Sequence, residues 1–508
     1  MLHHMHRVGK GTMTPPSSAA PLADVAPLVS GVTKEFLLHH RVCPIGVDAH
    51  GRLTVAVAPT ALASGLEDLS FVYRAPIDER PVSTAESVSL IERAIRAGDK
   101  DVHLAQDTES AGDDLSADVR DLANQPPVVR FVNLLIRDAF ESGASDVHLE
   151  ATRTGITTRY RLDGVLTAAN DPPPELQPAV VSRIKLLAEL DIAERRRPQD
   201  GRIRVRLEDR ELDLRVSTVP TTHGESVVLR LLERGGATVA LDDLGVESNA
   251  LAKLVQLVKQ PHGLVLVTGP TGSGKTTTLY AALARRDATA EKIITVEDPV
   301  EYQLNGVTQM PIHRQAGVTF PSALRAILRQ DPDVVMIGEM RDHETAEIAV
   351  QAAMTGHLVL STLHTNDAVG AIPRLRDLGI PDYLVAATLD GVLAQRLVRR
   401  VCQECRVMYE PASETVATIA QRPVARTTLH RGAGCAACRG TGFKGRIGIF
   451  ELLVVDDVLR DAISRGATRN QVRGIAEAQQ MATMREDGWA KCQRGLTTID
   501  EVLRVIQD

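Results

Sequence analysis

The spacing of apolar positions changes several times along the chain, and each change marks a different kind of element. Residues 1–25 have no apolar period, are rich in Pro, Ser and Ala, and read as a disordered tail. In VCPIGVDAHGRLTVAVAP, from Val42 to Pro59, two apolar runs flank Asp48–Gly51 and predict a hairpin. It opens a small domain, residues 26–97. Residues 98–125 are acidic, poor in large apolar side chains, and read as a solvated linker. From Pro126 the period is helical: Val128, Val132, Leu135, Ile136, Ala139 and Phe140 form one stripe, stopped by Gly143. It then falls to two, with Ile203, Val205 and Leu207 sharing one face and Leu212, Leu214 and Val216 another. An Asp163-Gly164 pair marks a tight hairpin turn. Residues 126–238 are therefore expected to be α+β, with a mostly antiparallel sheet. Beyond residue 239, short apolar runs such as Leu264–Thr268, Ile293–Val296 and Val334–Ile337 alternate with helical stretches, the pattern of a parallel-sheet α/β domain.

The first chemistry sits between the strand Leu264–Thr268 and the helix that opens KTTTLYAALARR. GPTGSGKT there fits GxxxxGK[ST], the P-loop. Its glycines let backbone N–H groups wrap phosphates, so Gly269, Pro270, Thr271, Gly272, Ser273, Gly274, Lys275, Thr276 and Thr277 form the candidate ATP-binding segment. Lys275 would neutralise the β and γ phosphates, and Thr276 would hold Mg²⁺. Ligands in such sheets gather at the carboxyl ends of strands. Glu297 and Asp298 end one strand and Glu339 follows another, so the three should converge. Glu297 or Glu339 would polarise the attacking water, and Glu339 would also hold magnesium; the plainer alternative is carboxylates capping loops. His364 and Thr365 follow a third strand, where a γ-phosphate sensor would sit, against the plainer reading of a structural histidine.

Cys402-Gln-Glu-Cys405 and Cys435-Ala-Ala-Cys438 are two CxxC pairs. Each presents two thiolates on a tight turn, and together they complete a closed tetrahedral zinc site of structural type. A redox role is the alternative for one such pair alone. Cys43 and Cys492 have no partner pattern and are expected to be inert.

Composition narrows the function classes. A chain of 508 residues with 44% hydrophobic and 24% charged residues is an ordinary globular protein of several domains. A net charge of −7 and 3% aromatic residues argue against a protein whose main work is gripping nucleic acid. No apolar run is long enough to span a membrane, and the N-terminus lacks the apolar core of a signal peptide. Six cysteines do not make a disulfide scaffold, so a reducing cytoplasm is expected.

Taken together these marks resemble the secretion ATPase superfamily, and within it the type II secretion ATPases (GspE-type). The resemblance rests on RPQDGRI (Arg197–Ile203), the P-loop, ITVEDPVE (Ile294–Glu301), DPDVVMIGEMRD with its Glu339, the stretch around His364, and CQEC…CAACRGTGFKGRIGIFELL. It spans about residues 30–508 and is weakest at the N-terminus. It implies a RecA-like ATPase domain (239–396) that follows the α+β N-terminal domains, a partner-docking one (26–97) and a PAS-like one (126–238). A tetracysteine zinc-binding insertion (397–443) and a C-terminal helical subdomain (444–508) complete it. It also implies a cytoplasmic homohexamer, peripheral on the inner membrane, that hydrolyses ATP to drive pseudopilus assembly and export of folded proteins. Arginines complete the family's nucleotide site, and the matching residues here are Arg215, Arg230, Arg325, Arg329, Arg341, Arg374 and Arg446. Arg325 and Arg329, four apart, are expected on one helix face. Implied partners are the cytoplasmic domain of a bitopic inner-membrane protein (GspL-type), a polytopic platform protein (GspF-type) and acidic phospholipid, with no nucleic acid. Type IV pilus assembly is the nearest alternative, since those ATPases share the fold, the site and the zinc. Nucleic-acid translocation is a distant one.

Overall fold

The chain is described here by a computed structural model covering residues 40–47, 52–60, 75–84, 103–104, 123–207, 210–233, 239–422 and 427–506. It also covers Leu37, Leu66, Leu69, Ser70, Glu86, Ser87, Leu90 and Ile91. The expected tail, the Asp48–Gly51 turn and nearly all of the acidic linker lie outside the described residues.

The chain divides into two compact units, Met1–His103 and Leu104–Asp508. In the first, β1 (Val42–Val47) and β2 (Leu53–Val57) pair antiparallel, as the two apolar runs predicted. A third strand, β3 (Ile77–Pro81), runs parallel to β2. Their core holds Leu37, Val42, Cys43, Leu53, Val55 and Leu90.

The second unit starts with α1 (Pro126–Glu141), which buries Val128, Val132, Leu135, Ile136 and Ala139, the stripe read from the sequence; Phe140 is only half-buried. Strands β4 (Ala144–Thr152), β5 (Gly155–Leu162) and β6 (Val165–Ala168) follow, then α2 (Gln177–Leu187). Strands β7 (Gln199–Leu207), β8 (Arg210–Thr221) and β9 (Gly224–Glu233) complete an antiparallel array in the order β7-β8-β9-β4-β5-β6. Alternation decides the faces: Ile203, Val205, Leu207, Leu212, Leu214 and Val216 are buried, and the arginines between them point the other way. The β5–β6 turn has Asp163 at φ 49° and Gly164 at φ 86°, the doubly left-handed geometry of a type I′ hairpin.

After α3 (Ser248–Val258) come the elements of the third layer. They are β10 (Gly263–Thr268), α4 (Lys275–Leu283), β11 (Ile293–Glu297), β12 (Thr308–Pro311), α5 (Phe320–Ile327), β13 (Val334–Ile337), α6 (His343–Met354) and β14 (Leu358–Leu363). They end in a long strand, β15 (Leu389–Val401), after two short helices. The sheet order is β12-β11-β13-β14-β10-β15. All these neighbours are parallel, and every residue of β10, β13 and β14 is buried, which explains their unbroken apolar runs.

Residues 444–508 are not helical throughout. Residues Phe443–Val454 are a strand that closes the edge of the ATPase sheet, antiparallel to β15 from Gly391 to Val401. The sequence pattern there, IGIFELL, is a mainly apolar run, broken only by Glu451, of the kind that periodicity cannot tell from a buried helix. Four helices follow, from Asp457 to Ile506. Among the described residues no helix is long and apolar enough to cross a membrane.

Candidate active site

The P-loop leaves β10 at the centre of the sheet and enters α4, whose N-cap is Gly274 in the left-handed region at φ 86°. The helix N-terminus presents partial positive charge to this turn, which is why anions settle there. Lys275 curls back so that Nζ donates to the carbonyls of Gly269 at 2.8 Å and Pro270 at 3.0 Å. Burial lowers its pKa to about 8, against the opposing pull of Glu339. Thr276 and Thr277 follow on the first turn, half-buried, and Thr271 and Gly272 are exposed at the tip.

Glu339 lies just past β13, its side chain 17% exposed. Arg341 Nε is 2.6 Å from one of its oxygens and His364 Nε2 is 3.5 Å from the other. The segment after β14 is stitched to the end of β10: Thr365 N–H donates to Thr268 Oγ1 at 2.9 Å, and the two hydroxyls are 2.7 Å apart. Adjacent parallel strands thus bring Lys275, Glu339 and His364 to one edge of the sheet. His364 is not a core histidine, since its side chain is 46% exposed.

Glu297 is placed differently. Its side chain is buried, and both oxygens accept from neutral donors: Thr295 Oγ1 at 2.6 Å and Gln309 Nε2 at 3.1 Å on one, the Tyr280 hydroxyl on the other. Asp298 turns outward to Arg314 at 3.0 Å. The two glutamates therefore do not share one environment. Glu339 feels Lys275, while Glu297 sits one layer deeper, fixed by Tyr280 from α4. Sequence reading missed Tyr280 and Gln309, because an apolar-looking helix face and a short edge strand gave no sign of polar aim.

The arginines also separate. Arg215, on β8, reaches Glu301 in the loop after β11, with 3.2 Å between Nη2 and Oε2. Arg230 is held by Asp146 on the neighbouring strand at 2.9 Å. Arg325 pairs with Glu344. Helix α5 ends at Ile327, so Arg329 does not share its face; it folds back to donate to the Arg325 carbonyl at 2.6 Å. Arg374 is half-buried in the helix Ala371–Asp377. Arg446 stands 3.8 Å from Asp163 of the β5–β6 hairpin, and the Gly445 N–H donates to that carboxylate at 2.8 Å. Asp163, Arg396, Arg446 and Arg504 line a cavity of about 260 Å³ on the outer flank of Pro270–Ser273.

The four cysteines meet. All their sulfurs lie within 4.8 Å of one another, with Cys402–Cys435 at 3.9 Å, Cys405–Cys438 at 3.8 Å and Cys435–Cys438 at 3.7 Å. Zinc–sulfur bonds of about 2.3 Å give a tetrahedron with edges of about 3.8 Å. Backbone N–H groups of Cys435 and Gly442 donate to Cys438 Sγ, and that of Gly434 to Cys405 Sγ, the donors that ligating thiolates attract. A small two-stranded ribbon, Arg406–Tyr409 with Leu429–Gly432, carries the knuckle. Cys43 and Cys492 are buried elsewhere, and burial pushes the Cys492 thiol up to about 12.

Comparison with known proteins agrees with this geometry. Residues 121–504 match the family described as Type II/IV secretion system protein. The type II secretion system protein E of Xanthomonas campestris pv. campestris is 47% identical over 492 residues, 96% of this chain and 86% of that protein. The type IV pilus assembly ATPase PilB of Thermus thermophilus is 46% identical over 376 residues, 74% of this chain but 42% of that protein. Among solved structures, the pilus retraction motor PilT with bound ADP superposes with a TM-score of 0.52 at 28% identity, covering 73% of this chain and 96% of that one. With its P-loop and its tetracysteine knuckle in place, the chain belongs to the Type II/IV secretion system protein family, as a type II secretion ATPase.

Proposed function

We infer that the chain hydrolyses ATP to power type II secretion, driving assembly of a pseudopilus that pushes folded proteins across the outer membrane. The meeting of Lys275, Glu339 and His364 at the ends of adjacent parallel strands carries this reading. The triphosphate lies along Gly269–Thr277. Lys275 exchanges the Gly269 and Pro270 carbonyls for phosphate oxygens, whose charge offsets the burial that now lowers its pKa. Thr276 and Glu339 would hold Mg²⁺, which would supply neutralising charge to the bound phosphates. Glu297 orients the water side of the site from below, and His364 faces the terminal phosphate beside Glu339. Arg215 and Arg230 act from outside the P-loop's own domain. Arg215 can trade Glu301 for phosphate, which links the position of the second domain to the state of the nucleotide. Cys402, Cys405, Cys435 and Cys438 hold structural Zn²⁺.

The working assembly is a homohexamer, peripheral on the inner membrane. The N-terminal domain docks on the cytoplasmic domain of a bitopic membrane protein, and the polytopic platform protein is the second contact, with acidic phospholipid as a further surface. Pilus assembly is the second reading. Secretion is favoured because relatives named for type II secretion are 46–52% identical and one of them matches 96% of the chain, while the pilus relative matches 74% at 46% identity.

The test pairs Mg²⁺-dependent ATP turnover of the full chain with export in a bacterium lacking its own secretion ATPase. Wild type is expected to restore export, and Lys275→Ala to lose turnover on the order of a thousandfold and export with it. Turnover retained by Lys275→Ala would contradict the site, and restored piliation without export would assign the chain to the pilus branch.

A further inference from the structure

Under the P-loop lies a side chain that none of the motifs contains. Gln395 stands in the middle of β15, the strand beside β10, and is 2% exposed. Both ends of its amide are used. Nε2 donates to the Ser273 carbonyl at 2.7 Å, and Oε1 accepts from the Thr278 hydroxyl at 2.6 Å. One residue therefore grips the phosphate turn and the helix that leaves it.

The contact fixes a direction as well as a position. Because the peptide is planar and trans, its C=O and N–H point to opposite sides. With the Ser273 carbonyl held down on Gln395, the Gly274 N–H must face up, toward the side where the triphosphate lies. The floor is also tight. A Cβ at Gly269 would come within 2.3 Å of the Gln395 carbonyl oxygen, and one at Gly274 within 2.8 Å of Gln395 Nε2. Both glycines also lie at positive φ, 149° and 86°, so the backbone of the turn and the strand beneath it favour glycine at the same positions.

The support beneath Gln395 is rigid. Strand β15 is paired on both sides, with β10 and with Phe443–Val454. Farther along, the Arg399 N–H donates to Glu501 at 3.0 Å and the Val401 N–H to the Leu496 carbonyl at 2.9 Å. We propose that Gln395 is a positioning residue for nucleotide binding: its amide presets the Ser273–Gly274 peptide and the first turns of α4 in the phosphate-binding geometry. Preorganisation of this kind acts on affinity, because the ordering is complete before the ligand arrives. The inference rests on assigning Gly269–Thr277 to the triphosphate.

The test is the affinity of the full chain for a fluorescent ADP analogue with Mg²⁺, together with KM and kcat for ATP and the melting temperature. Gln395→Met keeps the volume and removes both hydrogen bonds. It is expected to raise Kd and KM roughly ten- to a hundredfold, the scale of two buried hydrogen bonds, with kcat much less affected. Thr278→Val should raise Kd about tenfold and Thr278→Ser restore it. The double variant Gln395→Met/Thr278→Val should bind no more weakly than Gln395→Met alone. Unchanged Kd in Gln395→Met, or a Thr278→Ser as weak as Thr278→Val, would overturn the proposal. If Gln395→Met fails to fold, the Thr278 pair decides. Wild type that does not bind the analogue would instead remove the nucleotide-site assignment itself.

Discussion

The phosphate turn and the cysteine knuckle are both served by β15, which passes beneath the first at Gln395 and runs directly into the second at Cys402. They are nevertheless built on opposite plans. The knuckle closes on itself: four sulfurs of its own, with N–H donors from its own turns, leave no open position. The phosphate turn is held from far away in the chain, and its lysine donates to two carbonyls that it can release. A site made to keep one ligand satisfies its groups locally. A site made to exchange ligands borrows its rigidity from elsewhere and keeps its charged groups free to change partner.

That contrast can be broken most sharply at the two glutamates. Glu339→Gln and Glu297→Gln should each lower turnover, Glu339→Gln on the order of a hundredfold or more. Only Glu339→Gln should also raise the Mg²⁺ concentration needed for half-maximal rate, because Glu297 is engaged by Tyr280, Thr295 and Gln309 rather than facing Lys275. Equal Mg²⁺ dependence in the two variants would place both carboxylates at the metal.

The knuckle should behave as an independent block. Cys435→Ser, or chelation, is expected to remove bound zinc and lower the melting temperature while leaving the ADP affinity within about twofold, since none of the knuckle's ligands reaches the phosphate turn. Elemental analysis that finds no zinc in wild type would remove the metal from the account. A large loss of ADP affinity in the variant would show that β15 transmits strain from one site to the other.

A smaller effect is set by acidity. With the Lys275 pKa lowered to about 8 by burial, the lysine is charged below that pH and neutral above it. Bound phosphate favours the charged form, so binding must take up a proton once the pH exceeds about 8. ADP affinity is therefore expected to be level up to that point and then to fall, approaching tenfold per pH unit, as titration calorimetry in buffers of different ionisation enthalpy would show. Affinity that is flat to pH 10 would mean that Lys275 does not make the contact.

What the sequence disclosed follows the same division. Contiguous features were legible: the α1 stripe, the Asp163-Gly164 turn, the buried parallel strands, the P-loop and both CxxC pairs each declare themselves within a few residues. The strand Phe443–Val454 falls where a helical region was expected, because its buried half, Gly448–Leu453, shows no alternation. Arg329 was placed on a helix that stops two residues before it. Gln395, Tyr280 and Gln309 gave no signal, since their meaning lies in what they reach across 12 to 122 residues of chain. The distance from Arg215 to Glu301 belongs to the same class; alternation gave its direction but not its partner.

In the proposed mechanism, cations from one domain complete a phosphate site in another. It is tested by ATP turnover per chain across a range of protein concentrations, with mass measured by light scattering, for wild type and Arg215→Ala. Wild-type turnover should climb as chains assemble, while Arg215→Ala should bind nucleotide normally and stay at the low rate of the dilute protein. A dilute, demonstrably monomeric wild type that already turns over at the full assembled rate, unaffected by Arg215→Ala, would contradict it.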